Sequence, residues 1–239
     1  DHRNTQLHDL DDGLLKDYDD SLKNFQKEHN LTIFHLMGQH VNYKQRYRTK
    51  QARFWASSYE DKRPELTNAQ RKMLSHYDNA TLYNDSIVAQ IVKRFQKQDA
   101  IVIYVPDHGE ECYEENRGFI CRNHSAEIDW PLAHYEFEIP FWIYCSPKYI
   151  RNHRDIYRQI RKAKDKRFMT DALPHLLLYL AGIETPTYKE EYNILSPKYD
   201  EMRPRILKNS ADYDKLRDAH LEKIKKEESK KVKKKERRN

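Results

Sequence analysis

The chain has 239 residues, enough to bury a core as one large domain or a domain with a tail, and its 38% hydrophobic and 12% aromatic share is low but workable for a folded protein. No run of about 18 apolar residues occurs, which excludes a membrane span within this stretch, and no signal peptide leads it. The net charge of +6 lies in residues 220–239, where ten Lys/Arg face four Glu; residues 1–219 balance at 34 against 34, so the basic pI gives no argument for a nucleic-acid-binding body.

Leu14, Leu15, Tyr18, Leu22 and Phe25 recur at helical spacing and predict an amphipathic helix over residues 14–29, stopped at Asn30. Residues 31–37 predict a strand carrying His35 toward the core and ending in Gly38-Gln39-His40. Residues 44–66 are polar and aromatic without period and predict an irregular surface excursion. From Asn68 to Lys97, Met73, Tyr77, Leu82, Ile87, Ile91 and Phe95 predict a long helix with His76 exposed on it. Residues 101–105 predict a second strand, followed by a loop to about Glu136, and a third strand is expected from Phe137 to Cys145. A capped helix is predicted from Thr170 to Ile183, with Gly182 stopping it. Extended segments then lead into a Lys/Glu-rich tail over residues 220–239, read as a solvated helix or a disordered end, with attraction to an anionic membrane surface as the other reading. No aromatic residue is interleaved with its lysines, which argues against nucleic acid. Strand, helix, strand in this order predicts an α/β domain over residues 1–219 with a partly parallel sheet.

The residues that carry chemistry lie where the second strand ends. The run Ile101-Val-Ile-Tyr-Val-Pro-Asp-His-Gly-Glu-Glu111 places Asp107 and His108 side by side at the carboxyl end of a strand, where open α/β sheets set their ligand crevices. A carboxylate beside an imidazole suits a divalent cation, zinc above all, and Gly109 is read as the sharp backbone exit that aims both. Glu110 and Glu111 read most simply as solvated loop carboxylates. If the first two strands are parallel, His40 and His124 reach the same edge, and three imidazoles with a carboxylate suit metal-assisted chemistry on an anionic ester. Cys145 reads as a buried strand thiol, whereas Cys112 and Cys121 are a disulfide in an oxidising compartment or two thiols in a reducing one.

Five segments then resemble, in order, those of the bacterial phosphoethanolamine transferases, within the sulfatase and alkaline-phosphatase-like superfamily. Phe34-His-Leu-Met-Gly-Gln-His40 with Tyr43 and Arg46-Tyr47 resembles their "LHxxGSHGPxYxxRYP" segment, and Tyr77-Asp-Asn-Ala-Thr-Leu-Tyr-Asn-Asp85 their "YDNxxxYxD" segment. Tyr104-Val-Pro-Asp-His-Gly-Glu-Glu111 is similar to "YxSDHGE(S/E)", Ile139-Pro-Phe-Trp142 with Tyr144 to "VPFxxW", and Thr170-Asp171 with Leu180-Ala-Gly-Ile183 to their closing helix. The resemblance covers roughly residues 14–195 and implies an alkaline-phosphatase/sulfatase-like sheet flanked by helices, of which this chain is the C-terminal part.

It further implies an inner-membrane enzyme facing the periplasm that moves phosphoethanolamine from phosphatidylethanolamine to lipid A or the lipopolysaccharide core through a phospho-enzyme intermediate. Asp107 and His108 would hold one or two zinc ions with an acidic residue, while His40 and His124 contact the transferred phosphoryl group or a second metal. The threonine nucleophile and the acidic ligand belong upstream in this family, so the chain, which opens at Asp1-His-Arg-Asn-Thr without Met, reads as a fragment lacking both, with its membrane segments also upstream. Departures are Gln39 for Ser, Val41-Asn42 for Gly-Pro, Pro106 for Ser, and a longer 108–124 loop; Glu111 matches the core-modifying branch. The alternatives are a sulfatase or phosphodiesterase hydrolase of the same superfamily, or a non-catalytic envelope module that keeps the fold.

Overall fold

In a computed structural model, which describes residues 8–21, 29–123 and 127–236, the chain divides into two units. The first comprises Asp1–Ala100 with Cys112–Cys121, the second Ile101–Glu111 with Arg122–Asn239.

The first unit is organised by α2 (Asn68–Phe95). Thr67 and Gln70 start it with a reciprocal capping box: the Thr67 Oγ1 accepts from Gln70 N at 3.3 Å and the Gln70 Oε1 accepts from Thr67 N at 2.8 Å. Its buried stripe is Leu74, Ala80, Tyr83, Ile87 and Ile91, rotated from the expected face, so that Met73 and Leu82 are exposed. Helix α1 (Asp12–Ser21) buries Leu14 and Leu15; the remainder of the predicted helix, residues 22–28, lies outside the described residues. Arg94 near the end of α2 grips Asp19 with two bonds of 2.8 and 2.6 Å, and the rings of Tyr18, Phe34 and Phe95 cluster beside them.

Residues 31–37 belong to no ladder among the described residues. Leu31 and Ile33 stand 79% and 74% exposed and His35 is exposed too, which corrects the reading of a strand with a core histidine. A β-pattern reports a surface able to pair, and pairing needs a neighbour. Residues 44–66 are irregular as expected, folded into short 3-10 turns. Asn79 pins them. Its Oδ1 accepts from Arg53 N (2.7 Å) and Phe54 N (3.1 Å), and its Nδ2 donates to Phe54 O and Ser75 O (both 2.8 Å). The asparagine of the "YDN" segment is thus a structural clamp that uses all four of its hydrogen-bonding positions. A short hairpin, β2 (Glu111–Cys112) with β3 (Phe119–Cys121), adds Tyr113 and Phe119 to a cluster of rings around the buried Tyr43 and around Tyr77.

In the second unit β1 (Ile101–Tyr104) pairs antiparallel with β4 (Trp142–Cys145), Ile101 opposite Cys145 and Tyr104 opposite Trp142, the last two rings stacked at 5.3 Å. The partly parallel sheet expected of the domain has no parallel pair among the described strands whose direction is known, because alternation of apolar runs fixes strands but not their direction. The predicted third strand also begins later, because Asp129 accepts from Leu132 N at 2.9 Å and Pro131 sits in the first turn, and together they launch α3 (Trp130–Phe137). Helices α4 (Pro147–Asn152), α5 (Arg154–Ala163) and α6 (Leu173–Leu180) follow, the last preceded by a 3-10 turn at Thr170–Ala172.

One core gathers Ala163, Leu176, Ile194 and Leu195 with Phe141 and Phe168; a second joins Leu132, Ala133, Leu207 and Tyr213. The chain closes with the hairpin β5 (Ile206–Leu207) and β6 (Ala211–Asp212), then α7 (Tyr213–Glu236). Burial pushes the Cys145 thiol up, keeping it protonated and unreactive.

Candidate functional site

His40 stands on a turn of the first unit that side chains hold from two directions. The His40 N–H donates to Met37 O at 3.1 Å, and Gly38 takes a left-handed φ of 53°, which glycine adopts without the cost other residues bear. The Asp11 carboxylate, only 5% exposed, accepts from Met37 N (3.0 Å) and Gly38 N (2.9 Å). Arg46 reaches back to His40 O (3.0 Å) and Val41 O (3.2 Å). The next residue, Tyr47, is buried and bonds His76 Nδ1 at 2.9 Å; burial holds that imidazole below its ordinary value and pushes the Tyr47 hydroxyl up. The "RY" pair of the resemblance is therefore scaffolding under His40. The His40 Nδ1 lies 3.3 Å from Val41 O, which favours the proton there and an unprotonated Nε2.

Asp107, His108 and Gly109 leave β1 in the second unit, and here backbone does the holding. Gly109 N donates to Glu136 O at 2.8 Å, at the end of α3, and a Cβ on residue 109 would lie 2.1 Å from Tyr135 O. Gly109 is not among the residues with positive φ, so the glycine answers to close approach and not to the sharp exit expected of it. Glu136 is nearly fully buried and also accepts from Asn123 N at 2.7 Å, so one residue ties down two segments. Glu111, expected to be solvated, is 1% exposed.

Asp107 and His108 bring one carboxylate and one imidazole donor close together. Asp107 is 88% exposed, and its Oδ2 lies 3.6 Å from His108 Nε2. Two donors each about 2.1 Å from a tetrahedral zinc stand about 3.4 Å apart. His108 Nδ1 lies 2.7 Å from Gly109 O, which fixes the proton on Nδ1 and leaves the Nε2 lone pair for a ligand. That lone pair is met by Arg122 Nη1 at 2.9 Å. The pair fits a zinc half-site; among the described residues no group of three or more His, Cys, Asp or Glu stands together as metal ligands.

Of the residues singled out from sequence, the structure brings together Asp107 and His108. His40 belongs to the other unit, and His124 lies outside the described residues. Sequence reading missed Asp11, Arg122 and Glu136. Asp11 had a signal in the Asp11-Asp12-Gly13 turn before the first apolar helical residues; Arg122 and Glu136 had none, since their partners are remote in sequence.

Comparison with known proteins places the chain in a family. The sulfatase family model matches residues 1–183. Phosphoethanolamine transferase EptC of Escherichia coli O18:K1:H7 is 31% identical over 202 residues, 83% of this chain and 33% of that protein. Kdo(2)-lipid A phosphoethanolamine 7''-transferase of Escherichia coli K12 is 32% identical over 162 residues, 66% of this chain and 27% of that protein. The crystal structure of the C-terminal periplasmic domain of EcEptC from Escherichia coli, in complex with Zn, superposes with a TM-score of 0.71 at 28% identity, covering 90% of this chain and 60% of that one. The chain spans about a third of the length of these curated relatives. By its matched family model, its α/β fold and these relatives, the chain belongs to the sulfatase family, among the phosphoethanolamine transferases.

Proposed function

We propose that this chain is part of a zinc-dependent enzyme that transfers phosphoethanolamine to lipid A or the lipopolysaccharide core. The observation that carries the reading is the Asp107–His108 pair: two donors 3.6 Å apart, the imidazole locked in the tautomer that offers Nε2. Zinc held there would stabilise charge at phosphorus and lower the pKa of an attacking hydroxyl. The chain's own residues then divide the work. Asp107 and His108 hold the metal, one or two ions in all. Arg122, already at the ligand face of His108, presents a guanidinium to a phosphoryl oxygen, a match that is charged and planar. His40 and His124 contact the transferred group or a second metal.

In this reading a threonine upstream attacks phosphatidylethanolamine, the bond from phosphorus to the diacylglycerol oxygen breaks, and diacylglycerol leaves with a proton. An acceptor hydroxyl or phosphate oxygen then takes the phosphoethanolamine from the enzyme. The name of a relative that acts on Kdo(2)-lipid A supports the acceptor class, the periplasmic domain of the matched structure supports the compartment, and anchoring in the inner membrane is part of the proposal. The test is mass spectrometry of lipid A and core after incubation with the full-length polypeptide and phosphatidylethanolamine. Addition of phosphoethanolamine, falling at least about a hundredfold in His108→Ala, is expected. Release of free phosphoethanolamine or sulfate with no modified acceptor would make the protein a hydrolase instead.

A further inference from the structure

We infer that the outer half of α7 is a docking element for an anionic lipid bilayer. The helix is fastened at its start: Tyr213 and Leu216 pack into the core around Leu132, and His220 stacks on Trp130 at 5.1 Å. Beyond that point residues 221–231 are all exposed. Charge is segregated along the helix. Residues 221–228 hold three Lys and three Glu, and Lys226 pairs with Glu222 at 3.5 Å. Residues 229–236, to the end of the helix, hold five Lys and one Glu, and the sequence continues with Arg237 and Arg238.

That distribution is unlike an ordinary solvated Lys/Glu helix, in which opposite charges four residues apart support each other. Here Lys230 and Lys234, and Lys231 and Lys235, are like charges at that spacing, and a single Glu236 offsets the block. The repulsion destabilises the helix in water and is relieved against a surface of negative charge. Because residues 1–219 are neutral overall, the block gives the chain its long-range attraction to anions. Leu221 and Ile224 are half-exposed, too few to insert the helix, so attachment is electrostatic. A bilayer is favoured over nucleic acid because no aromatic side chain is interleaved for base stacking. The choice of a bilayer also rests on the proposed lipid acceptor.

The experiment is co-sedimentation of this chain with phosphatidylcholine vesicles, with and without phosphatidylglycerol. Neither lipid is a donor or an acceptor of phosphoethanolamine, so the result is independent of transfer activity. Binding to the phosphatidylglycerol vesicles alone is expected, weakening with salt and by about fivefold for each lysine changed to Gln among Lys230, Lys231, Lys233, Lys234 and Lys235. These positions follow the helix's packed start, and circular dichroism checks that the fold is retained. Equal binding to both vesicles, no binding to either, binding unchanged in the five-fold variant, or tighter binding to a DNA duplex than to the anionic vesicles would each overturn the inference.

Discussion

The turn that carries His40 and the turn that carries Asp107 and His108 are built by opposite means. The first is held by side chains: Asp11 takes two of its backbone N–H groups and Arg46 two of its carbonyls, while Tyr47 on His76 and Asn79 on Phe54 fix the ground beneath. The second is held by backbone, Gly109 against the end of α3, and leaves Asp107 almost fully exposed. A turn fastened by its own main chain keeps its side chains available as ligands, whereas one fastened by side chains presents a single fixed imidazole. The difference also sets how each turn fails.

The largest effect is expected where backbone meets backbone. Gly109→Ala should cost about 3 to 4 kcal/mol of stability, because the new methyl meets the Tyr135 carbonyl, which cannot swing aside; chemical denaturation measures it. A cost under about 1 kcal/mol would show that the turn is looser than described. Asn79→Ala should follow at about 3 kcal/mol, since the groups at Arg53 and Phe54 lose their partners together, and hydrogen exchange should rise first at residues 52–55. Asp11→Asn should cost about 2 kcal/mol. An amide offers one acceptor oxygen where two N–H groups converge, and its NH2 faces one of them.

The smallest effect is one of pH. Burial lowers the His76 pKa in the folded chain, so the unfolded chain binds the proton more readily. The stability this contributes is present above the ordinary histidine value of about 6.5 and is lost as pH falls from there through the folded value. His76→Gln should therefore flatten the dependence of denaturation midpoint on pH between about 7 and 5. An unchanged slope would remove the Tyr47–His76 contact from the scaffold under His40.

Particular residues show what the sequence could disclose. The long helix α2 was readable, since a helix is specified by neighbours three and four residues apart, but its buried face turned out rotated, leaving Met73 and Leu82 exposed. The Asp107–His108 pair was readable for the same reason, its two donors being adjacent. The direction of β1 against β4 was not, because it depends on how some forty residues return the chain. Nor was the start of β4, although Asp129 and Pro131 announced α3 ahead of it. Leu31 and Ile33 wrote a strand pattern whose ladder needs a partner that sequence does not name. Arg122 and Glu136 matter only through contacts 14 and 13 residues away, which no local period encodes.

The central claim is that Asp107 and His108 form the metal half-site, and zinc stoichiometry tests it most directly. The chain would be dialysed to equilibrium against zinc and analysed for metal beside an Asp107→Ala/His108→Ala variant. The account predicts zinc bound by the parent and lost in the variant. Zinc retained by the variant, or absent from both, would contradict it.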